Sequence, residues 1–271
     1  MPLVDYHVHT PLCNHARGSM EAFAARAASL GLSEICFLDH LTLHPGGSRL
    51  SMSPREVGLY IRACGRVREK FAGQLAIKIG LEVDYSPETF SRAREIVETF
   101  SLDVVAGSVH FLGSHNLVSH RERDNMPLSP AGRVERYLKL LFAMLDERFF
   151  DLACHLDVVK KFDKESPPGL AEAWDAVAAR MAETGTVAEV NASGLSHPTG
   201  EAYPGPGLLS ALARHGVPVT LGSDAHSPDE VGRHLPQVAR ELGRAGFSSL
   251  TTFCRRRPLA VALDPCLEND A

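Results

Sequence analysis

The stretch Leu3-Val4-Asp5-Tyr6-His7-Val8-His9-Thr10 decides how the rest of the chain is read, and it reads as a first β-strand. Successive strand side chains point to opposite faces, so His7 and His9 leave on one side with Cα atoms roughly 6.6 Å apart. Neutral imidazole nitrogen suits zinc, iron and similar metals, and the strand fixes both rings before a metal arrives. Taken alone, a His-x-His pair is equally a wet strand face. Its meaning depends on how the later strands end.

Downstream, strand and helix alternate. Ser19 caps a helix whose Ala22, Phe23, Ala27 and Leu30 form an apolar face, and Gly31 ends it. Strands are expected at Glu34 to His40, Ala76 to Asp84, Asp103 to Phe111, Asp151 to Val159, Thr186 to Ala192 and Val217 to Asp224. Helices are expected from Pro54 to about Phe71, from Ser86 (cap) and Pro87 (first turn), then Pro130 to Arg148, Leu170 to Thr184, Pro206 to His215 and Asp229 to Ala245. Seven β-then-α units predict an α/β fold with a parallel sheet. Seven units in one chain favour closure into a TIM-like barrel over a doubly wound open sheet. The tail from Phe247 to Ala271, with Arg255-Arg256-Arg257, is expected to be a solvated closing segment.

Composition narrows the function classes. A chain of 271 residues, 44% of them apolar, can fill a sizeable core, and no boundary or low-complexity tract divides it, so residues 1–271 are expected to form one domain. A net charge of −5 gives no basic footprint, and no nucleic-acid partner is expected. No apolar run approaches the roughly 20 residues of a membrane span. The six cysteines, 13, 36, 64, 154, 254 and 266, form no CxxC pair, and no signal-peptide core precedes the first strand. A reducing cytoplasm is the expected location; oligomeric state is left open.

Loop lengths point to one end of the barrel. Helix-to-strand turns are short, as at Gly31-Leu32-Ser33, whereas Leu41 to Ser53, Gly113 to Ser129 and Ser193 to Gly205 are long strand-to-helix loops. In parallel barrels the carboxyl ends of the strands carry the chemistry. The loop from Gly113 to Ser129, with His120, Arg121 and Arg123, is a candidate lid or specificity loop, with a solvated surface loop as the alternative.

At those strand ends stand His7, His9, His40, Glu82, His110, His155, Asp224 and His226, with His15 in the first loop. Nine candidate ligands exceed the three or four that one zinc takes, so two or three divalent ions are expected, with Glu82 as the natural bridge. His44, His115, His120, His197, His215 and His234 fall in loops or helices, the last two as solvated helix positions.

These residues resemble the polymerase and histidinol phosphatase (PHP) family of metal-dependent phosphoesterases. The resemblance rests on Asp5-Tyr6-His7-Val8-His9-Thr10, Asp39-His40, Gly80-Leu81-Glu82, Gly107-Ser108-Val109-His110, His155-Leu156-Asp157 and Gly222-Ser223-Asp224-Ala225-His226. Thr10-Pro11-Leu12-Cys13-Asn14-His15, the run His155 to Phe162, and Glu189-Val190-Asn191-Ala192-Ser193-Gly194-Leu195 are similar to the stand-alone histidinol-phosphate phosphatases. The resemblance implies a distorted seven-stranded (β/α)7 barrel of PHP type holding zinc, iron or manganese. One ion would take His7, His9, Glu82 and Asp224, a second Glu82, His110 and His155, and a third His15, His40 and His226.

Where that branch carries a basic residue after Gly194-Leu195, this chain has Ser196-His197. Arg17, Lys160 or Lys161, or His197 are the candidate substrate-binding groups. Several divalent ions against two carboxylate ligands leave a positive pocket suited to a small phosphate monoester. Asp224, Glu82 and His226 are the expected catalytic residues. The expected activity is hydrolysis of histidinol phosphate, with a nucleotide, sugar phosphate or phosphotyrosine as alternative esters. A non-catalytic, metal-stabilised module is the alternative from another class.

Overall fold

The structure of the protein, a computed structural model, describes residues 3–163 and 170–263. Cys266 and the last part of the expected tail lie outside the described residues. Strand β1 (Val4–Val8) leads through α1 (Met20–Ser29) to β2 (Glu34–Leu41), α2 (Val57–Lys70), β3 (Ala76–Asp84), α3 (Phe90–Glu98) and β4 (Val104–Ser108). A small hairpin, β5 (Phe111–Leu112) with β6 (His115–Asn116), and the short helix α4 (His120–Asp124) follow. Then come α5 (Pro130–Asp146), β7 (Leu152–Ala153), α6 (Leu170–Thr184), β8 (Val187–Asn191), α7 (Pro206–Arg214), β9 (Val219–Gly222) and α8 (Leu235–Arg244). The chain finishes with the hairpin β10 (Ser249–Cys254) and β11 (Arg257–Ala262).

The seven strands β1-β2-β3-β4-β7-β8-β9 lie in sequence order and pair in parallel. The sheet curls until its edges meet: the His9 N–H donates to the Ala225 carbonyl at 2.9 Å and the Ala225 N–H to that of His7 at 3.2 Å. A nearly closed barrel results, and the open doubly wound alternative is ruled out. Its strands are buried along both faces, as a parallel sheet covered by helices requires.

The observed elements correct several expected boundaries. The Ser86 hydroxyl donates to Glu88 instead of capping, its carbonyl accepts from the Phe90 N–H at 2.9 Å, and α3 starts only at Phe90. Residues 54–56 form a turn, with the Glu56 carboxylate accepting from the Ser53 N–H at 2.8 Å, before α2 begins. The last helix starts at Leu235, because a 3-10 turn at Pro228–Glu230 and a left-handed His234 (φ 61°) precede it. Strand β7 is far shorter than Asp151 to Val159, and β9 stops before Asp224, because His155 (φ 28°) and Asp224 (φ 57°) hold left-handed backbone. Such a conformation costs a non-glycine residue of order 1–3 kcal/mol and ends strand pairing. Both deviations fall at residues whose side chains turn into the barrel mouth.

The tail is also more than a solvated segment. Hairpin β10–β11 covers the amino end of the barrel, where fully buried Phe253 packs on Tyr6 at 5.5 Å between ring centroids and its N–H donates to the Tyr6 hydroxyl at 2.6 Å. Arg256 bonds the Asp151 carboxylate through Nε at 2.9 Å and lies 4.9 Å over the Phe149 ring.

Candidate metal centre

All nine candidate ligands come together at the carboxyl end of the strands. Parallel register sets His40 beside Glu82 on adjacent strands, and the His40 Nδ1 lies 2.7 Å from Glu82 Oε2. Glu82 stands at the middle: His155 Nε2 is 2.9 Å and His110 Nε2 3.6 Å from its Oε1, while His7 Nε2 is 3.4 Å and His9 Nε2 3.8 Å from its Oε2. Asp224 faces the same point from β9, with Oδ1 3.0 Å from His9 Nε2 and 3.7 Å from His7 Nε2. His15, His40 and His226 gather beside it, each with a ring nitrogen within 4.8 Å of the others.

Residues behind the ligands explain how the rings are aimed. His7 Nδ1 lies 2.6 Å from Glu189 Oε1, His9 Nδ1 3.4 Å from Asp39 Oδ1, His15 Nδ1 2.8 Å from the Cys13 carbonyl and His226 Nδ1 2.9 Å from the Asp224 carbonyl. An oxygen acceptor at Nδ1 keeps the ring proton there and leaves the Nε2 lone pair as a ligand. Glu189 also accepts from the His155 N–H through Oε2 at 2.8 Å, so one buried carboxylate sets two candidate ligands. Gly222 is required by this arrangement: a Cβ there would sit 2.1 Å from Glu189 Oε1 and 2.7 Å from the His7 Cβ. Asp5 fastens β1 to the end of β9, accepting from the Ser223 N–H at 2.8 Å and its hydroxyl at 2.6 Å. Motif reading includes Asp5, Asp39 and Glu189 but gives them no role; a carboxylate next to, or a few strands from, a ligand histidine is the available signal.

The donor set fits divalent cations. His7 Nε2, Glu82 Oε2 and His155 Nδ1 are buried and make no hydrogen bond, a cost of about 1–3 kcal/mol for each polar group left unpaired. Two of these three atoms, His7 Nε2 and Glu82 Oε2, face the cluster. Burial pushes the Glu82 carboxyl up, but His40, His7 and His110 outweigh it and hold it well below the usual carboxylate range. Asp224 is likewise held well below that range, burial being outweighed by His7 and His9. Burial drives His40 down to about 4, and burial with the neighbouring His9 drives His226 down to about 2. Against burial, Asp224 and Asp39 lift His9 to about 9, so this part of the cluster calls for positive charge. Neutral imidazoles beside ionised carboxylates are the metal-binding forms.

The expected substrate-binding groups separate. Lys160 is not in the mouth: its Nζ lies 2.9 Å from Asp157 Oδ2 and 2.7 Å from Glu201 Oε2, and it is buried there. Lys161 lines the cavity of about 470 Å³ over the cluster instead, together with His197. Burial lowers the Lys161 ammonium below its ordinary value, and burial with Lys161 nearby lowers His197 to about 4. Arg17 is exposed beside the rim, its N–H donating to the His226 carbonyl at 2.7 Å. A larger groove of about 920 Å³ at the amino end of the barrel, lined in part by Arg68, Lys78 and Asp103, holds none of the nine. His215 and His234 are half-buried, bonded to Asp175 Oδ1 at 3.0 Å and to the Ser196 hydroxyl at 3.0 Å.

The PHP domain family model matches residues 5–193, the segment that supplies seven of the nine ligands. The chain belongs to the PHP domain family. A PHP-associated model matches residues 209–245, which hold Asp224 and His226. The chain is 35% identical over 262 residues to a probable histidinol-phosphatase of Deinococcus radiodurans, covering 92% of this chain and 96% of that protein. It is 28% identical to the histidinol-phosphatase of Bacillus subtilis, covering 84% of this chain and 95% of the relative. Its fold is similar to the crystal structure of histidinol phosphate phosphatase from Lactococcus lactis complexed with zinc, L-histidinol and phosphate. That match has a TM-score of 0.83 at 22% identity and covers 95% of this chain and 98% of the other.

Proposed function

We propose that this PHP protein is a metal-dependent phosphomonoesterase that hydrolyses histidinol phosphate to histidinol and phosphate. The observation that carries the chemistry is the set of histidines His7, His9, His15 and His226, whose Nδ1 atoms are tied to oxygens while Nε2 is left as the ligand atom. The ester is named from the histidinol-phosphatases that the chain matches over most of its length. Two or three ions of zinc, iron or manganese would be held by His7, His9, Glu82 and Asp224, by Glu82, His110 and His155, and by His15, His40 and His226. Bound divalent ions supply Lewis acidity, which neutralises phosphoryl charge and furnishes nucleophilic water at neutral pH.

The reaction joins a water oxygen to phosphorus, breaks the ester P–O bond and releases the alcohol with a proton from the water. Glu82 and Asp224, both ionised, hold the metal-binding geometry in which this takes place, and His226 completes it. Lys161 makes no ion pair with a described carboxylate, so its ammonium is available for a phosphoryl oxygen, whereas Lys160 serves Asp157 and Glu201. His197 stays neutral at pH 7, with its Nδ1 3.3 Å from the Tyr203 hydroxyl. When Tyr203 donates to Nδ1, His197 Nε2 carries the proton and is a donor for a phosphoryl oxygen. Ligands from both ends of the chain, His7 and His226, support residues 1–271 working as one unit. Free, buried Cys13, Cys36, Cys64 and Cys154 support a cytoplasmic location; among the described residues no helix is long and apolar enough to cross a membrane.

Ser196, bonded to His234, supplies no cation where similar phosphatases carry one, and this favours another phosphate ester as the second reading. The test is kcat/KM for histidinol phosphate against a panel of phosphomonoesters, on protein of measured metal content, before and after chelation and metal add-back. Histidinol phosphate is expected to lead the panel, with activity lost on chelation and regained on add-back. A mid-panel rank would replace the substrate, and folded, metal-loaded protein without any phosphatase activity would leave a non-catalytic module.

A further inference from the structure

We infer that Glu122, on the short helix α4 that follows the β5–β6 hairpin, is the specificity residue that receives a cationic nitrogen of the phosphate ester. The inference rests on the substrate reading above, because histidinol phosphate carries an ammonium group beside its ester. An ammonium entering a cation-rich mouth needs a carboxylate that is not itself a ligand. The cavity over the cluster is lined by three carboxylates, Asp84, Glu122 and Asp224. Asp224 belongs to the cluster. Asp84 is occupied at both oxygens, accepting from the His110 N–H at 3.0 Å and from the Thr42 hydroxyl at 3.2 Å. Glu122 accepts from the Asn116 N–H through Oε2 at 2.8 Å, and its Oε1 has no partner among the described residues.

Its position fits the task. The Leu117 N–H donates to the carbonyl of the candidate ligand His110 at 2.7 Å, and Asn116 pairs with Phe111 across the hairpin, so exposed Glu122 is tied to a hairpin that is anchored at a candidate ligand. Phe111 and Val118 give the same wall an apolar face, with Phe111 held by the His44 ring stacked 4.1 Å away. Lys161 lines the cavity as well. Phosphate toward the ions and Lys161, a flat ring on Phe111 and a cationic nitrogen on Glu122 describe an amino-bearing aromatic ester. A carboxylate at this rim repels anionic and does nothing for neutral alcohol portions, so it acts as a selector.

The test compares wild type, Glu122→Gln and Glu122→Ala, all metal-loaded, on histidinol phosphate, on imidazolylpropyl phosphate (the same ester without the amino group) and on p-nitrophenyl phosphate. Glu122→Gln keeps an oxygen for the Asn116 N–H and removes only the charge. It is expected to lower kcat/KM for histidinol phosphate at least tenfold, through KM, while the other two esters change less than twofold. An unchanged wild-type preference, or an equal loss on all three esters, overturns the role of Glu122. Wild type that shows no preference for the amino-bearing ester overturns this inference and the substrate reading together, whereas a preference that survives in Glu122→Gln overturns only the inference.

Discussion

The two ends of the barrel hold polar groups in opposite states. At the amino end every carboxylate that matters is answered by the chain itself: Asp103 accepts from the Ile79 N–H at 3.1 Å, and Asp151 from the Val105 N–H at 2.8 Å and Arg256 Nε at 2.9 Å. At the carboxyl end His7 Nε2 and Glu82 Oε2 are buried without a hydrogen bond, inside a ring of further histidines. Backbone amides and an arginine complete the first set; a divalent cation fits the second. On the proposed function, the self-sufficient groups serve stability and the groups open to a ligand serve chemistry.

Substitutions at the two ends should therefore separate activity from stability. Glu82→Ala removes the central carboxylate and is expected to lower kcat/KM roughly a thousandfold or more, with metal content by mass spectrometry falling below wild type. Retained metal stoichiometry would break the comparison at its strongest point. At the other end Phe253→Ala opens a cavity against Tyr6 and should cost about 3–5 kcal/mol by denaturant unfolding. Its kcat/KM should stay within about twofold of wild type at a temperature where it remains folded.

Smaller effects sharpen the contrast. Glu189→Gln weakens the hold on His7 Nδ1 and the His155 N–H without removing a ligand, so metal affinity by chelator competition should fall about 10–100-fold. An unaltered affinity would reduce Glu189 to packing. Arg256→Ala loses its charged hydrogen bond to Asp151 and should cost about 1.5–3 kcal/mol, read as a lower Tm with activity intact. Arg257→Ala, next to it but exposed, should change stability by less than about 0.5 kcal/mol. Equal effects of the two arginine substitutions would return the Arg255-Arg256-Arg257 run to the solvated face that its composition suggests.

Much of the site was legible because periodicity does the placing. His7 and His9 share a face through the two-residue repeat of a strand, and a parallel sheet brings His40, Glu82 and His110 to the same rim. The orienting carboxylates were not legible in that way. Glu189 meets His7 across 182 positions of sequence, a distance that only barrel closure spans. The exchange between Lys160 and Lys161 was hidden for a local reason: a 3-10 turn at Val158–Lys160 turns adjacent lysines to different surroundings, one to Asp157 and Glu201 and the other to the cavity.

The sequence by itself determined the repeated strand-helix order, the end of the barrel where the candidate ligands gather and the kinds of side chain found there, since these follow from local periodicity and residue chemistry. Only the tertiary structure decided which nitrogen of each histidine faces inward, which lysine reaches the cavity and how the tail seals the far end. Some of those outcomes are set by local turns, as for His15, His226 and Lys160, and others by hydrogen-bond partners far apart in sequence, as His7 with Glu189 and Tyr6 with Phe253. Packing brings such partners together, and no local pattern encodes them.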